Sequence, residues 1–253
     1  MTSAVSAVTS SGARIPTGFS PMGDIRPRTR LVAVSFGETS SGKTHWSICT
    51  APEPVFHLIL DRNADEIRKK ITRLNGREIY PSLVAYTPNL GEAEAKKAWK
   101  TLTDSIDAVL AVNQGTLVID TASEVDSLLR LATYGRLEKV MPFAYSDRNK
   151  MWKALFSQFY DGSMSVILIH KMKPKWINNQ KTAEYEIAGW ADVSDGGVEF
   201  EAQMVTQHRW DSRTRQFMVR VLKQNMFPDL MGEESDADTL SLGNILDLTF
   251  GDE

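Results

Sequence analysis

Eight consecutive residues have the types and the spacing of a phosphate-binding loop. They read Gly37-Glu38-Thr39-Ser40-Ser41-Gly42-Lys43-Thr44, a complete G-x-x-x-x-G-K-[ST] motif. In such a loop the glycines let backbone N–H groups surround phosphate oxygens, the lysine reaches the β- and γ-phosphates, and the threonine hydroxyl is a ligand of Mg²⁺. An apolar run precedes the motif and apolar helical positions follow it, which is the context that the motif requires. The sequence therefore predicts a site for a nucleoside triphosphate, ATP, with Mg²⁺.

A second segment with matching chemistry lies further along the chain. The apolar run 116–120 ends in the carboxylate of Asp120. An aspartate at the tip of a buried parallel strand, beside a phosphate-binding loop, is placed to hold Mg²⁺ through a water molecule. Such a run is a weak indication alone, because many strands end in aspartate at a turn. Together with the loop, it predicts that Thr44 and Asp120 hold the metal ion.

A third apolar run, 165–169, is followed by His170 and a basic segment. Ligands of doubly wound sheets lie at the carboxyl ends of the strands, so we interpret His170 as a sensor of the γ-phosphate. The alternative is a surface histidine that caps a strand. The segment 171–181 has four lysines, one tryptophan and no acidic residue. This mixture is typical of contacts with single-stranded nucleic acid, with a solvated charged loop as the alternative. The predicted DNA-binding residues are Lys171, Lys173, Lys175, Trp176 and Lys181.

The elements that must position these residues alternate between strands and helices. Strands are predicted at 31–36, 55–60, 83–86, 116–121 and 165–170. Helical patterns occur at 64–74, 92–112, 123–133 and 147–159. This alternation is typical of an α/β fold in which helices flank a mostly parallel sheet.

The segment after Gly197 shows the period of strands rather than helices. Residues 198–204 alternate apolar and polar, and the runs 205–210 and 216–223 flank a polar turn. The pattern predicts a C-terminal β-hairpin that extends the sheet. Arg220 and Lys223 are expected near the end of the far strand, where a cation could reach the nucleotide of a neighbouring subunit. Solvent-facing charges are the alternative.

Composition places the chain among soluble intracellular proteins. Its 253 residues are 42% hydrophobic, enough to build the core of one large α/β domain. The single cysteine, Cys49, cannot form an internal disulfide, which indicates a reducing, cytoplasmic setting. No run approaches the roughly 20 apolar residues that span a bilayer, so no membrane is expected as a partner.

The two ends of the chain differ from its centre. Residues 1–29 are rich in small and polar residues with several arginines, and we expect a flexible arm before a core at 30–231. Residues 232–253 form an acidic tail in a chain of net charge −3. A disordered, solubilising tail is the favoured interpretation. The alternative is that its apolar residues dock on a basic surface, either the DNA-binding segment or a single-strand-binding partner.

Taken together, these residues make the chain resemble the RecA-like ATPases, and among them the small bacteriophage recombination ATPases with a single RecA-type core. The likeness rests on residues 37–44, close to the G-P-E-S-S-G-K-T form of RecA, on the strand that ends in Asp120-Thr121, and on the strand that ends in His170 before a basic segment. It covers residues 30 to 230. The phosphate-binding loop is its specific part.

The resemblance implies a P-loop ATPase that binds ATP between subunits of a ring or filament and holds single-stranded DNA with a mobile loop, here 171–181. Lys43, Asp120 and His170 would be catalytic. One position departs from the family. Its water-polarising glutamate lies two residues after an aspartate, and in this chain Asn63 follows Asp61 there. An amide orients water but takes no proton, so hydrolysis is expected to be slow unless Asp61, Asp65 or Glu66 substitutes.

Three classes of function remain open from the sequence. The first is a DNA-stimulated, oligomeric RecA-like ATPase of phage or prokaryotic recombination or replication, in the host cytoplasm if phage-encoded. The second is a nucleotide-gated binding or assembly module with negligible turnover, favoured by Asn63. The third is a nucleotide or small-molecule kinase, disfavoured because no arginine-rich lid follows the sheet.

Overall fold

The computed structural model describes residues 30–60, 76–135, 145–177, 180–189 and 197–251. The predicted arm 1–29, the predicted helix 64–74 and the candidates Asp61, Asn63, Asp65 and Glu66 lie outside this part. Its helices are α1 (Lys43–Cys49), α2 (Glu92–Leu110), α3 (Ala122–Tyr134), α4 (Tyr145–Asp161), α5 (Gly197–Glu201) and α6 (Leu242–Phe250). Its strands are β1 (Val32–Gly37), β2 (Val55–Ile59), β3 (Ile79–Leu83), β4 (Thr116–Asp120), β5 (Ser165–Ile177), β6 (Gln180–Ile187), β7 (Met204–Asp211), β8 (Gln216–Gln224) and β9 (Glu234–Asp236).

The strands form one sheet in the order β3-β2-β4-β5-β1-β7-β8-β9, and β6 pairs with the outer part of β5. Strands β1 to β5 and β7 run parallel, whereas β8 and β9 are antiparallel to their neighbours. The prediction of an α/β fold with a mostly parallel sheet is confirmed. The β7–β8 hairpin extends the sheet as expected.

Helices cover both faces of this sheet. Successive side chains of a strand point to opposite faces of the sheet. In β1, Val32 and Val34 therefore belong to one hydrophobic core cluster, and Ala33 belongs to the other. The first cluster includes residues of α2, α3 and α4, and we call its side of the sheet the α3 face. The second includes Trp46 of α1 and Ile245 of α6, and we call its side the α1 face. Burial on both faces explains why β1 and β4 are mostly apolar, without the alternation of a half-exposed strand.

Two predicted strands are placed differently in the structure. The expected strand at 83–86 is instead β3 at Ile79–Leu83, an edge strand that tolerates Pro81 because one side of it is unpaired. The stretch after Gly197 begins with helix α5 rather than a strand, so the expected shared face of 198–204 is wrong. Val198 and Ala202 are buried, whereas Phe200 is 70% exposed. Residues four apart share one face of a helix and also one face of a strand. Burial of Val198 and Ala202 is therefore compatible with both kinds of element.

The basic segment 171–181 was expected to be a loop, and this expectation is wrong. Strand β5 continues past His170 to Ile177, and β6 returns from Gln180 to Ile187 as its antiparallel partner. Polar residues do not end a strand when a second strand supplies the backbone hydrogen bonds. The segment is therefore a β-hairpin, here called the β5–β6 hairpin, which extends beyond the sheet.

Residues 232–251 are folded, in contrast to the disordered tail that was favoured. Strand β9 pairs with β8, and α6 begins at Ser241, whose side chain accepts a hydrogen bond from Asn244 N. Leu242, Ile245 and Leu246 are buried on the α1 face. Apolar residues three and four apart form one helix face, and here that face packs on the chain's own core. These three side chains are not available to a partner.

No helix of the described residues is long and apolar enough to cross a membrane.

Candidate nucleotide site

The 37–44 loop connects the carboxyl end of β1 to α1 and is closely packed at both glycines. A Cβ atom on Gly37 would lie 2.2 Å from the carbonyl oxygen of His208, so no larger residue fits beside β7. Gly42 has φ 88°, a left-handed conformation that favours glycine. A Cβ there would lie 2.8 Å from the ring of Phe217. The spacing of the two glycines is therefore explained by backbone geometry and by the approach of β7 and β8.

Lys43 is buried against this loop. Its Nζ donates hydrogen bonds to the carbonyl oxygens of Gly37, at 3.0 Å, and Glu38, at 2.5 Å, and lies 3.3 Å from Ser41 Oγ. A buried ammonium is costly unless its protons are accepted, and these three oxygens accept them. The loop thus holds one positive charge at its centre.

Thr44 and Asp120 come together from different elements, as the sequence predicted. The Thr44 hydroxyl donates to Asp120 Oδ2 at 2.7 Å, and the Asp120 residue is 1% exposed. Asp120 alternates with Val118, which packs on the α1 face, so its carboxylate lies on the side that carries α1. Among the described residues, no group of three or more His, Cys, Asp or Glu is arranged to hold a metal ion.

A buried histidine that sequence reasoning missed adjoins the same carboxylate. His57 lies on β2, next to β4 in the sheet, and its Nε2 is 3.4 Å from Asp120 Oδ2. Its side chain is fully buried. The available signal was a single polar residue inside the apolar run 55–60. His57 thus lies beside the carboxylate that contacts Thr44.

His170 lies at the predicted place in the chain but on the other face of the sheet. It alternates with Leu168, which packs in the core cluster of the α3 face, and it is fully buried rather than a surface cap. Its Nδ1 is 2.9 Å from the carbonyl oxygen of Ala188, so Nδ1–H donates there. Burial lowers the pKa of His170 to about 4, partly opposed by that hydrogen bond. The imidazole is therefore neutral at pH 7.

Ser123 connects His170 to the β5–β6 hairpin. Its hydroxyl lies 3.4 Å from His170 Nδ1, donates to the Ala188 carbonyl at 3.1 Å and accepts from Lys171 N at 3.0 Å. Ser123 is in the first turn of α3, which begins directly after the segment that carries Asp120. His170 therefore lies between the Asp120 strand and the hairpin, without a described contact to Lys43 or Thr44.

A third buried histidine, His208, lies under the 37–44 loop. Its ring packs edge-on against Trp46, with centroids 5.0 Å apart, and its Nε2 is 3.1 Å from Thr206 Oγ1. Burial, and secondarily the Lys43 ammonium, lowers the pKa of His208 to about 3. The imidazole of His208, which lies beside the 37–44 loop, is therefore neutral at pH 7. Nothing in the alternating pattern of β7 distinguished this residue from a surface histidine.

The lysines of the β5–β6 hairpin have acidic neighbours that sequence proximity did not show. Lys171 forms an ion pair with Glu124 of α3, and Lys173 Nζ lies 3.4 Å from Glu186 Oε1 on β6. The side chains of Trp176 and Lys181 lie outside the described part. The net positive charge around the folded hairpin is therefore smaller than the sequence of 171–181 alone indicates.

Lys223 is distant from the 37–44 loop along the sheet, whereas Arg220 pairs with Gln207, which pairs with Phe36 directly before the loop. Lys223 pairs with Val205, near the start of β7, which is the end of the sheet opposite the loop. Its Nζ donates to the carbonyl oxygens of Glu199, Phe200 and Ala202 and so caps α5. Arg220 is exposed on β8. The expected position near the end of the far strand holds for Lys223, and action across a subunit interface stays a prediction for both.

No protein-family model matches the sequence, and no curated protein matches it.

Proposed function

We propose that this chain is a RecA-like P-loop ATPase that binds ATP with Mg²⁺ in the 37–44 loop. The observation that carries the proposal is the contact between Thr44 and Asp120, two residues far apart in sequence whose oxygens meet at the end of the loop that carries Lys43. A threonine hydroxyl, a strand-end carboxylate and a loop lysine are the groups that phosphate-binding sites of this class use. The mostly parallel sheet with helices on both faces is compatible with the proposal.

Each residue has a defined task in this proposal. Lys43 would exchange its contacts with the Gly37 and Glu38 carbonyls for oxygens of the β- and γ-phosphates. Thr44 would be a ligand of Mg²⁺, and Asp120 would accept a hydrogen bond from a water of the ion. Two protein oxygens fit Mg²⁺, which keeps several waters and takes few ligands from the protein. When bound, the ion would neutralise charge on the β- and γ-phosphates.

Hydrolysis is proposed to be slow. Asn63 stands at the position of the family's glutamate, and an amide cannot take the proton of the attacking water. Loss of a general base removes about 10²–10⁴-fold in rate. Binding does not depend on that residue, because the loop, Lys43 and Asp120 are complete without it.

Single-stranded DNA is the proposed partner of the β5–β6 hairpin. The hairpin carries Lys173 and Lys175 beyond the sheet and Lys171 at its base, and that base is hydrogen-bonded through Ser123 to His170. A change beside Asp120 could therefore reach the hairpin through α3 without a direct contact between His170 and the nucleotide.

We further propose a ring or filament of subunits in the cytoplasm, active in phage or prokaryotic recombination or replication. Arg220 or Lys223 would face the neighbour's nucleotide, and the exposed acids of 232–251 would be open to a single-strand-binding partner.

The experiment that tests this proposal is ATP hydrolysis and ATP binding by the full chain, with and without single-stranded DNA. Lys43→Ala is the control for the loop. We expect Mg²⁺-dependent ATP binding and DNA-stimulated turnover, both lost in Lys43→Ala. ATP binding that Lys43→Ala leaves unchanged would refute the proposal.

A nucleotide-gated module with negligible turnover is the second candidate, and Asn63 favours it. In that case ATP would still bind and drive assembly on DNA, but turnover would remain at the level of Lys43→Ala. Asn63→Glu separates the two, because a restored base would raise turnover only where the remaining site is built for hydrolysis. A kinase is disfavoured, and phosphate transfer to an acceptor other than water would identify one.

A further inference from the structure

Two aromatic residues lie side by side at the turn end of the β7–β8 hairpin. Trp210 and Phe217 are directly paired across the two strands. Their ring centroids are 4.7 Å apart, and the ring planes meet at 60°. Trp210 is 45% exposed, so an indole held in place by its neighbour remains open to solvent on one side.

The pair lies on the same face of the sheet as α1. On β7, Trp210 is two residues after His208, whose ring contacts Trp46 of α1. On β8, Phe217 is two residues before Val219, which packs in the core cluster of the α1 face. Residues two apart on a strand share a face. Both rings therefore belong to the side of the sheet on which Lys43, Thr44 and Asp120 gather.

The pair is also level with the 37–44 loop. Gly37, the last residue of β1, is paired with His208, so Trp210 extends past the end of β1 in the direction of the loop. Phe217 contacts the loop itself, since a Cβ atom on Gly42 would lie 2.8 Å from its Cδ1 and 2.9 Å from its Cγ. The aromatic pair thus forms one wall of the space around the loop.

The position of the metal-binding oxygens gives the direction of a bound nucleotide. Thr44 and Asp120 would hold the ion at the β- and γ-phosphates, so these two residues would mark the γ-phosphate end of a bound nucleotide. Asp120 belongs to β4, on one side of β1, whereas β7 and β8 lie on the other side. The nucleoside leaves from the opposite end of the triphosphate and so extends toward β7 and β8.

We propose that Trp210, held by Phe217, stacks on the base of the bound nucleoside triphosphate. This inference rests on the proposed function of the 37–44 loop. Every base has a π-face, so stacking on an indole adds affinity for nucleosides without selecting among them. The site therefore accepts ATP and GTP with similar affinity, and Phe217 keeps the indole in a fixed edge-to-face arrangement.

The test compares ATP, GTP and inorganic tripolyphosphate as ligands of the full chain, by calorimetric titration with Mg²⁺ and without DNA. Tripolyphosphate has the phosphates but no base. Trp210→Ala is expected to weaken ATP and GTP binding by about 5- to 150-fold and to leave tripolyphosphate binding unchanged. Trp210→Phe, which keeps a ring, is expected to restore most of the affinity. Tyr80→Ala, at a residue 54% exposed on β3 and stacked on Phe56, is the matched control and is expected to bind all three ligands as the unaltered chain does.

Each other result has a separate meaning. Equal ATP affinity of Trp210→Ala and the unaltered chain would overturn the stacking inference while leaving the proposed function intact. An equal loss for ATP and tripolyphosphate would also overturn it, because the substitution would then act on the loop. A loss of subunit assembly with ATP affinity unchanged would assign the pair to a protein interface instead. Failure of the unaltered chain to bind either ligand would refute the proposed function itself.

Discussion

Two of the buried histidines, His170 and His208, make the stability of this protein depend on pH, and the size of the effect follows from their environments. Burial holds the pKa of His170 at about 4 and that of His208 at about 3, below the ordinary value of 6.5. A folded-state pKa below the unfolded one means that the unfolded chain binds the proton first. The stabilisation is therefore complete above pH 6.5 and is lost as the pH falls toward the folded-state values.

The magnitude can be worked out for a change from pH 7.5 to pH 5. Over this interval each histidine is still neutral in the folded chain but becomes protonated in the unfolded chain. Proton linkage then removes about 2 kcal/mol of unfolding free energy per histidine, or about 4 kcal/mol for both. Marginal stabilities of about 5–15 kcal/mol make such a loss large.

Chemical denaturation at the two pH values, for the unaltered chain and for His170→Gln and His208→Gln, measures this loss. An amide does not titrate in this range, so each variant should lose about 2 kcal/mol less on acidification than the unaltered chain does. The comparison of differences removes the contribution of carboxylates, which is common to all three proteins. If both variants lost as much stability as the unaltered chain, the neutral burial of these histidines would be refuted.

Three further predictions concern the metal site, the C-terminal helix and the hairpin. Asp120→Asn keeps an acceptor for Thr44 but removes the charge, so Mg²⁺ should no longer strengthen ATP binding, whereas binding in EDTA should persist; calorimetry with and without Mg²⁺ decides this. Leu242→Ala truncates a fully buried side chain and should cost about 2–5 kcal/mol in denaturation, whereas Leu248→Ala, at a residue 53% exposed, should cost little. Lys175→Gln should weaken single-stranded DNA binding for all sequences and reduce the salt-dependence slope by about 0.7, with Lys100→Gln on α2 as the control. An unchanged slope would remove Lys175 from the DNA surface.

The sequence was most informative where one signal decided the structure. The apolar runs of β1 and β4 predicted these strands without information from other parts of the chain, because strands that are covered on both faces are mostly apolar. The meeting of Thr44 and Asp120 followed from the rule that parallel strands bring their carboxyl ends to one edge. These are the parts of the fold and the site that pattern and spacing fully specify.

The remainder depended on tertiary partners that no local pattern contains. Helix α5 was mistaken for a strand because Val198 and Ala202 fit both periods. The β5–β6 hairpin was mistaken for a loop because its lysines find acidic neighbours only after folding. His57 and His208 were missed for the same reason, since each acquires its importance from residues of other strands.

The contact between α1 and the C-terminal segment has a consequence for the biosynthesis of the site. The indole of Trp46 donates to the Leu240 carbonyl at 2.7 Å, and Gly243 N donates to the Thr50 carbonyl. These partners are far apart in sequence, and Leu240 lies 194 residues after Trp46. Contacts of such high sequence separation form late, because a long chain segment must first be closed into a loop. During synthesis on the ribosome, α1 therefore lacks its contacts with the C-terminal segment until residues 240–246 have been synthesised.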